Sequence, residues 1–329
     1  MRNTFRTICI LLGAAALLAT AGGAAAQAWP AKPVRMICPV SAGTTSDIAL
    51  RMIADRLSQA FSRQFYVDNV LGGMGLIATQ TAARAAPDGY TFYLAGVGVL
   101  AADRHMFKTL PYDPERDFVP VAVLYDSAAF AVAVHPDVPA KSVTELIALA
   151  KAQPGKLSYG SDSVGVTSIP GIWFNKVAGT DILPVPYKSP AQMMQDVVAG
   201  RTQVVFTTVA LLDPFRKAGK LRVLAVTSAR RFPAWGDVPT ISETLPAFNK
   251  IVGIGLLIAP AGTPADILQR FNRELDVILR EPDVVQRLLS FGYTVSPSGA
   301  GTPQGIADFM RAERENWDKM LSGVNMLVQ

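Results

Sequence analysis

The stretch VRMICPVSAGTTSDIALRMIADRLSQAF, residues 34–61, combines an apolar run, small polar residues and an amphipathic segment in immediate succession. The pattern predicts a buried strand over 34–40, a loop over 41–46 and a helix that opens near Asp47. The first N–H groups of such a helix lack partners and carry the positive end of its dipole, so they can hold a carboxylate or phosphate. An ordinary turn with a capping box from Thr44 to Asp47 is the alternative interpretation.

The N-terminus has the features of a secretory signal peptide. Arg2 and Arg6 precede an apolar run over 7–21, and the segment ends in Ala26-Gln27-Ala28. We therefore expect cleavage after Ala28 and export to the periplasm, with a mature chain that begins at Trp29. The apolar run is too short for a convincing membrane span.

Composition narrows the class of protein. Loss of residues 1–28 lowers the formal net charge from +5 to +3, and the remaining basic residues are scattered among acids, which argues against nucleic-acid binding. Cys9 leaves with the signal peptide, so Cys38 has no partner for a disulfide. About 300 mature residues suit two lobes better than one core.

The order of elements indicates an α/β fold. Strands around 64–68 and 90–94 alternate with helices, which predicts a mostly parallel, doubly wound sheet. Separate strands are expected over 119–124 and 130–134, and another over 251–258. The sequence after 130–134 and after 251–258 repeats one pattern, a proline stop followed by a capped helix.

The repeated pattern suggests where the chain crosses between lobes. The two predicted caps are Ser142, and Thr263 with Pro264 at the first helical position. Strands this far apart with one pattern are natural crossing segments in a two-lobe protein. The predicted lobes are residues 29–128 plus 253–329, and residues 129–252.

A second small-residue loop mirrors the first. A short strand over 156–159 runs into GSDSVGVTS, residues 160–168, ahead of another helix. Two such loops, one in each lobe, would clamp a compact polar ligand, because small residues let the backbone approach closely.

No catalytic or metal-binding constellation emerges from the sequence. The two histidines, His105 and His135, lack nucleophile or metal-ligand spacing, and structural roles suit them better. Gly73-x-Gly75-x-x-Ala78 resembles a dinucleotide fingerprint, but the acidic residue expected about 20 positions on is missing. We expect no enzyme activity, no cofactor and no metal.

Seven motifs in order resemble the solute-binding proteins of tripartite tricarboxylate transporters, the TctC or Bug family. These motifs are WPAKPVR (29–35), APDGYT (86–91), LPYDP (110–114), PGKLSY (154–159), VPYK (185–188), DVPT (237–240) and APAGTP (259–264). The resemblance implies the type II periplasmic-binding-protein fold, in which two α/β lobes joined by two crossover strands close on a small carboxylate. It also implies delivery of that ligand to the membrane permease subunits of the transporter, and we expect a monomer.

The resemblance implies that backbone amides and waters in the two loops hold the ligand carboxylate. The turn over 72–75 matches the family's glycine-rich turn beside the cleft. The candidate ligand-binding residues are Val40, Ser41, Ala42, Gly43, Thr44, Thr45, Ser46, Asp47, Gly73, Ser161, Asp162, Ser163, Val164, Gly165, Val166, Thr167 and Ser168.

Several positions depart from the family pattern. The first loop has one glycine where the family usually has two, Ile169 stands at a usual histidine, and Gln203 at a usual aspartate. Asp162 brings an acid near the expected anion site, where burial beside a carboxylate would be costly unless it turns away, is protonated or meets a cationic group. A ligand sensor that signals to a membrane receptor and an exported α/β enzyme remain as alternatives.

Overall fold

A computed structural model describes residues 29–96, 98–99, 103–162, 168–187, 189–248, 250–296 and 300–321. The predicted signal peptide and the candidate residues Ser163, Val164, Gly165, Val166 and Thr167 lie outside the described residues. Within the described part of the chain, no helix is both long enough and apolar enough to cross a membrane.

Strands and helices alternate over most of the chain. The strands are β1 Val34–Cys38, β2 Phe65–Asn69, β3 Thr91–Ala95, β4 Phe118–Val134, β5 Ser158–Asp162, β6 Leu183–Tyr187, β7 Val204–Thr208, β8 Arg222–Val226, β9 Val252–Pro260 and β10 Tyr293–Thr294. The helices are α1 Thr45–Phe61, α2 Leu76–Ala83, α3 Asp103–Met106, α4 Val143–Ala152, α5 Ile169–Ala178, α6 Pro190–Val198, α7 Val209–Lys217, α8 Ile241–Thr244, α9 Ala265–Leu279, α10 Pro282–Ser290 and α11 Pro303–Leu321. Short 3₁₀ turns occupy Gly73–Gly75 and Pro233–Trp235.

The strands form one mixed sheet in the order β2-β1-β3-β9-β4-β7-β5-β6, and β8 and β10 also pair with β4. β1 is parallel to β2 and β3, and β5 is parallel to β6 and β7, as the βαβ pattern predicts. β9 runs antiparallel to β3 and β4, and the other partners of β4 are also antiparallel to it. The prediction of a mostly parallel sheet therefore holds for the two ends of the sheet and fails at its centre.

β4 is one strand where the sequence predicted two. Asp126 and Ser127 interrupt the apolar pattern, yet they stay in the strand, and Ser127 pairs with Thr294 of β10. Register shifts against β9 accommodate these residues. β4 pairs with β9 up to Ala129 and with β7 from Phe130, so its sheet partners change at that point.

One of the two predicted helix caps is confirmed. The Ser142 hydroxyl accepts the Glu145 N–H at 3.2 Å at the start of α4. Thr263 is not a cap, because Pro264 is extended, with φ −55° and ψ 133°, and the helix begins one residue later, at Ala265. The Thr263 hydroxyl donates to the Pro260 carbonyl instead.

Aromatic packing fixes the described N-terminus and the last helix. Trp29 packs edge-on against Phe61, and Phe92 stacks on Phe271 with ring centroids 4.1 Å apart. At the other end of the chain, the buried side chain of Trp317 packs α11 against the core.

Candidate functional site

The first candidate loop joins the buried strand β1 to α1. Helix α1 begins at Thr45, two residues earlier than predicted, and the Thr44 hydroxyl accepts the Asp47 N–H at 3.4 Å. The predicted capping box is incomplete, since the Asp47 carboxylate accepts the N–H of Gly43, at 2.9 Å, rather than that of Thr44. Gly43 has a φ of +84°, a left-handed conformation that favours glycine, which brings its N–H within reach of the helix.

The Asp47 carboxylate is buried and fixes the loop through hydrogen bonds. Its side chain is 1% exposed, and Asn69 Nδ2 and Arg51 Nε donate to it at 2.8 and 3.0 Å, in addition to Gly43. Burial by itself would raise the pKa of Asp47, but these hydrogen bonds outweigh it and hold the pKa below its usual range. The contacts give Asp47 a role in positioning the loop.

The hydroxyls of Thr45 and Ser46 also turn inward. They lie 2.7 and 2.9 Å from the Tyr293 hydroxyl, which the chain brings in from β10. Tyr293 stacks on the buried ring of Tyr125, with centroids 4.1 Å apart and planes 9° from parallel. Burial raises the pKa of Tyr293, so its neutral hydroxyl can both donate and accept a hydrogen bond here.

The Tyr125 ring lies directly over Gly255 on the paired strand β9. A Cβ atom at Gly255 would come within 2.4 Å of that ring. The stack of Gly255, Tyr125 and Tyr293 therefore links the two central strands of the sheet to the start of α1.

Backbone N–H groups at the start of α1 are available to a ligand. Residues 41–44 are exposed, and the N–H groups of Thr45 and Ser46 reach no acceptor among the described residues. These N–H groups are the first two of α1 and carry the positive end of its dipole. Because Arg51 balances the charge of Asp47, the loop can accept an anion at these amides.

The glycine-rich turn lies beside the first loop. A Cβ atom at Gly75 would sit 3.8 Å from Pro39 Cβ, and the Val70 N–H donates to the Cys38 carbonyl. Gly73, the candidate residue of this turn, is exposed and has a φ of +55°. The turn thus places open backbone close to the end of β1.

The second candidate loop begins later than predicted. Ser161 and Asp162, with Gly160 before them, belong to β5 and pair with β6 up to Tyr187, so they are strand residues rather than loop residues. Parallel pairing with β6 explains the extension, because that ladder continues to the end of both strands. Ser168 is buried at the start of α5, and its side chain makes no capping hydrogen bond.

Gln203 and His105, two polar residues considered in the sequence analysis, have structural partners. Gln203 accepts the Ser158 N–H at 3.0 Å and so ties β5 to the start of β7, and His105 lies 2.7 Å from Asp318. Burial raises the pKa of Cys38, which disfavours a reactive thiolate. Among the described residues we find no group of three or more His, Cys, Asp or Glu side chains that could hold a metal ion.

Sequence reasoning missed Arg51, Asn69 and Tyr293 as residues that shape the first loop. Arg51 follows Asp47 by four positions on α1, a spacing that signals a helical ion pair. Tyr293 is 247 positions from Ser46, and no local pattern points to that contact.

Comparison with known proteins identifies the family. Residues 49–326 match the family described as tripartite tricarboxylate transporter family receptor, TctC. The chain belongs to this family. A UPF0065 protein of Bordetella bronchiseptica is 34% identical over 96% of this TctC-family chain and 93% of its own length.

Solved structures show the same fold. An R. palustris protein with adipate is 32% identical, with a TM-score of 0.78 over 89% of this chain and 97% of its own. MatC from Rhodopseudomonas palustris with bound malate is 26% identical, with a TM-score of 0.74 over 89% of this chain and 100% of its own. The TctC-family chain has the type II periplasmic-binding-protein fold and is a solute-binding receptor rather than an enzyme.

Proposed function

We propose that this protein is a periplasmic receptor that captures a small carboxylate and delivers it to the permease of a tripartite tricarboxylate transporter. The observation that carries the proposal is made at the start of α1. The side chains of Thr45, Ser46 and Asp47 make hydrogen bonds within the protein, whereas the first backbone N–H groups of the helix have no acceptor among the described residues. A carboxylate is the ligand group that such amides bind. The adipate and malate in two neighbouring structures support this ligand class.

We propose that the ligand lies between two lobes, residues 29–128 with 253–329 and residues 129–252. The change of partners along β4 between Ala129 and Phe130 supports this division, as does the start of β9 at Val252, which pairs with Ala129. The second loop, which includes Ser163, Val164, Gly165, Val166 and Thr167, would then close over the ligand from the second lobe by hinge motion.

A thermal-shift screen tests the ligand class. The panel contains adipate, malate, monocarboxylates, tricarboxylates, aromatic acids, amino acids and sugars. A ligand at about 100 times its Kd stabilises the folded protein by about 2.7 kcal/mol, a readily measured shift. Stabilisation by zwitterions or neutral solutes alone would contradict the carboxylate proposal.

A proline at the first position of α1 tests the amides themselves. Thr45→Pro removes one N–H, and proline is tolerated there because Thr44 is already extended, with φ −70° and ψ 158°. Thr45→Val is the matched control, since it also removes the hydroxyl but keeps the N–H. We expect affinity for the best ligand of the screen to fall about tenfold or more in Thr45→Pro relative to Thr45→Val. Equal affinities would remove the Thr45 amide from the site.

Two substitutions test the second loop. Gly165→Val should abolish binding and leave the protein folded, because a β-branched residue keeps the backbone from approaching the ligand closely. Asp162→Asn should tighten binding of a plain carboxylate if the acid faces the ligand. Unchanged affinity in Gly165→Val would remove the second loop from the site, and unchanged affinity in Asp162→Asn would place that side chain away from the ligand.

A transport assay tests the partner. Cells that carry the permease should take up the ligand only when this receptor is present, and uptake should fall with Thr45→Pro more than with Thr45→Val. Uptake that is independent of the receptor would leave ligand binding intact and contradict the transport role.

A further inference from the structure

The turn between β2 and α2 exposes a group of apolar side chains. Leu71, Met74 and Ile77 are 50%, 48% and 50% exposed, and we call these three residues the turn patch. Together with Ile48 in the first turn of α1, they make up four of the seven large apolar side chains that are exposed in the described part of the chain. Single exposed apolar residues are common on protein surfaces, whereas a group of them at one place marks a binding surface.

The turn patch lies at the same edge of the sheet as the open amides of α1. β1 and β2 are parallel and end side by side, with Cys38 paired with Asn69, so the loops that follow them leave the sheet at neighbouring points. Asn69 Nδ2 donates to the Val40 carbonyl at 2.8 Å, which ties the end of β2 to the first loop. Ligands of α/β proteins bind at this carboxyl edge of parallel strands. A carboxylate at the amides of α1 would therefore have the turn patch to one side.

Met74 adopts a backbone conformation that glycine would favour. Its φ and ψ are 57° and 32°, in the left-handed region, and Gly72, Gly73 and Gly75 around it also have positive φ. Ser62 is the other non-glycine residue with positive φ in the described chain, and it ends α1, where such a conformation is common. Met74 lies inside a turn instead. The chain thus keeps a side chain at a position where it costs stability, which points to a function of that side chain.

The turn holds its shape without the Met74 side chain. The Gly75 N–H donates to the Gly72 carbonyl at 3.0 Å, and the Thr79 hydroxyl donates to the Gly75 carbonyl at 3.0 Å. The Ile77 side chain closes over Gly72, where a Cβ atom would come within 2.6 Å of Ile77 Cδ1. Since these contacts fix the backbone, the half-exposed side chain of Met74 is available to a ligand, and its flexible thioether adapts to apolar groups of different shape.

We propose that Met74 is a specificity-determining residue, whose side chain covers the hydrocarbon part of a carboxylate that is bound by its charged group at the amides of α1. The inference rests on the proposed function, since it takes those amides as the binding point of the carboxylate. It narrows the ligand class to acids that carry several methylene groups beyond the carboxylate. Each methylene group buried against the turn patch strengthens binding, whereas a short acid leaves the patch exposed.

Acetate and hexanoate test the proposal, because they share the carboxylate and differ in the hydrocarbon chain. Titration of the purified protein, followed by NMR at the backbone amide of Ser46, gives a dissociation constant for each acid. We expect hexanoate to bind about tenfold or more tightly than acetate. Met74→Ala should weaken hexanoate binding about fivefold or more and change acetate binding less than twofold.

Two further variants separate a role in binding from a role in structure. Leu183→Ala is the matched control, since it shortens another exposed apolar side chain, on β6 at the opposite end of the sheet, and it should change neither affinity. Met74→Gly removes the side chain and suits the left-handed conformation, so it should weaken hexanoate binding as Met74→Ala does while Tm falls by no more than about 2 °C.

The outcomes distinguish failure of this inference from failure of the proposed function. Hexanoate that binds no more tightly than acetate, equal effects of Met74→Ala and Leu183→Ala, or a Met74→Gly variant that loses stability and keeps its affinity for hexanoate would each overturn the role of Met74. If Thr45→Pro weakens both acids relative to Thr45→Val while Met74→Ala weakens neither, only the role of Met74 has failed. If Thr45→Pro weakens neither acid, the amide site has failed, and this inference fails with it.

Discussion

Asp47→Asn is a sharp test of how the first loop is held. The change preserves the size of the side chain and removes its charge. Asn can still accept from Asn69, but its amide NH₂ then faces the N–H of Gly43 and Nε of Arg51, so two hydrogen bonds to a carboxylate are lost. Hydrogen bonds to charged groups contribute about 1.5–3 kcal/mol each. Because Arg51 is 45% exposed, its share is reduced by water, and we expect a total loss of about 2–3 kcal/mol.

Urea unfolding followed by circular dichroism measures this loss. A fall in Tm of several degrees should accompany it. Asp55→Asn is the matched control, because Asp55 is exposed, lies on the same helix and also acts on the charge of Arg51. It should change the free energy of unfolding by no more than about 0.5 kcal/mol. Equal losses in the two variants would refute the assignment of Asp47 as the anchor of the loop.

The acid dependence of stability provides a second measurement on Asp47. Its pKa in the folded protein lies below the ordinary value of 3.8, so its contribution is present above that value and is lost as the pH falls through the folded-state pKa. The free energy of unfolding of the unmodified protein should therefore fall more steeply below about pH 4 than that of Asp47→Asn. Parallel curves would show that Asp47 titrates alike in the folded and unfolded chains.

Two further predictions concern the aromatic stack. Tyr293→Phe keeps the ring and removes both hydroxyl contacts with α1. Hydrogen exchange at the start of α1 should therefore accelerate several-fold, and the free energy of unfolding should fall by about 1–2 kcal/mol. The control Tyr66→Phe, at an exposed position, should change neither quantity. Gly255→Ala puts a Cβ atom within 2.4 Å of the Tyr125 ring and should cost about 1–3 kcal/mol in urea unfolding. Gly236→Ala, with open space around its Cβ position, should be nearly neutral, and equal costs would contradict the packing described for the stack.

Local sequence patterns predicted the elements but not the centre of the sheet. Alternating strands and helices located β1, β2 and β3 to within two residues, because each is short and bounded by turn residues. β4 was predicted as two strands because Asp126 and Ser127 interrupt the apolar pattern. Backbone hydrogen bonding between strands continues through these polar residues, and hydropathy does not detect it. Antiparallel pairing of β9 with β3 and β4 depends on the path of the whole chain, which no local window contains.

The same limit applies to the candidate site. The first loop was located to within two residues because a helix start has a local signature, which Thr44 provides. The directions in which Thr45, Ser46 and Asp47 point could not be predicted, since Tyr293 and Asn69 reach them from other elements. Residues 161 and 162 were assigned to a loop because small and polar residues are poor strand formers, yet pairing with β6 keeps them extended.

The inward direction of these side chains has a consequence for selectivity. If the first loop binds a ligand through backbone amides alone, it recognises the negative group and makes few contacts with the rest of the ligand. Adipate and malate, found in two neighbours of the same fold, differ in length and in hydroxyl content. A loop that contacts only the carboxylate cannot by itself tell two such acids apart, so discrimination requires contacts with the rest of the ligand. In our proposals those contacts come from Met74 and from the second lobe, and substitutions at either place should change which acid binds, whereas Thr45→Pro should weaken all acids alike.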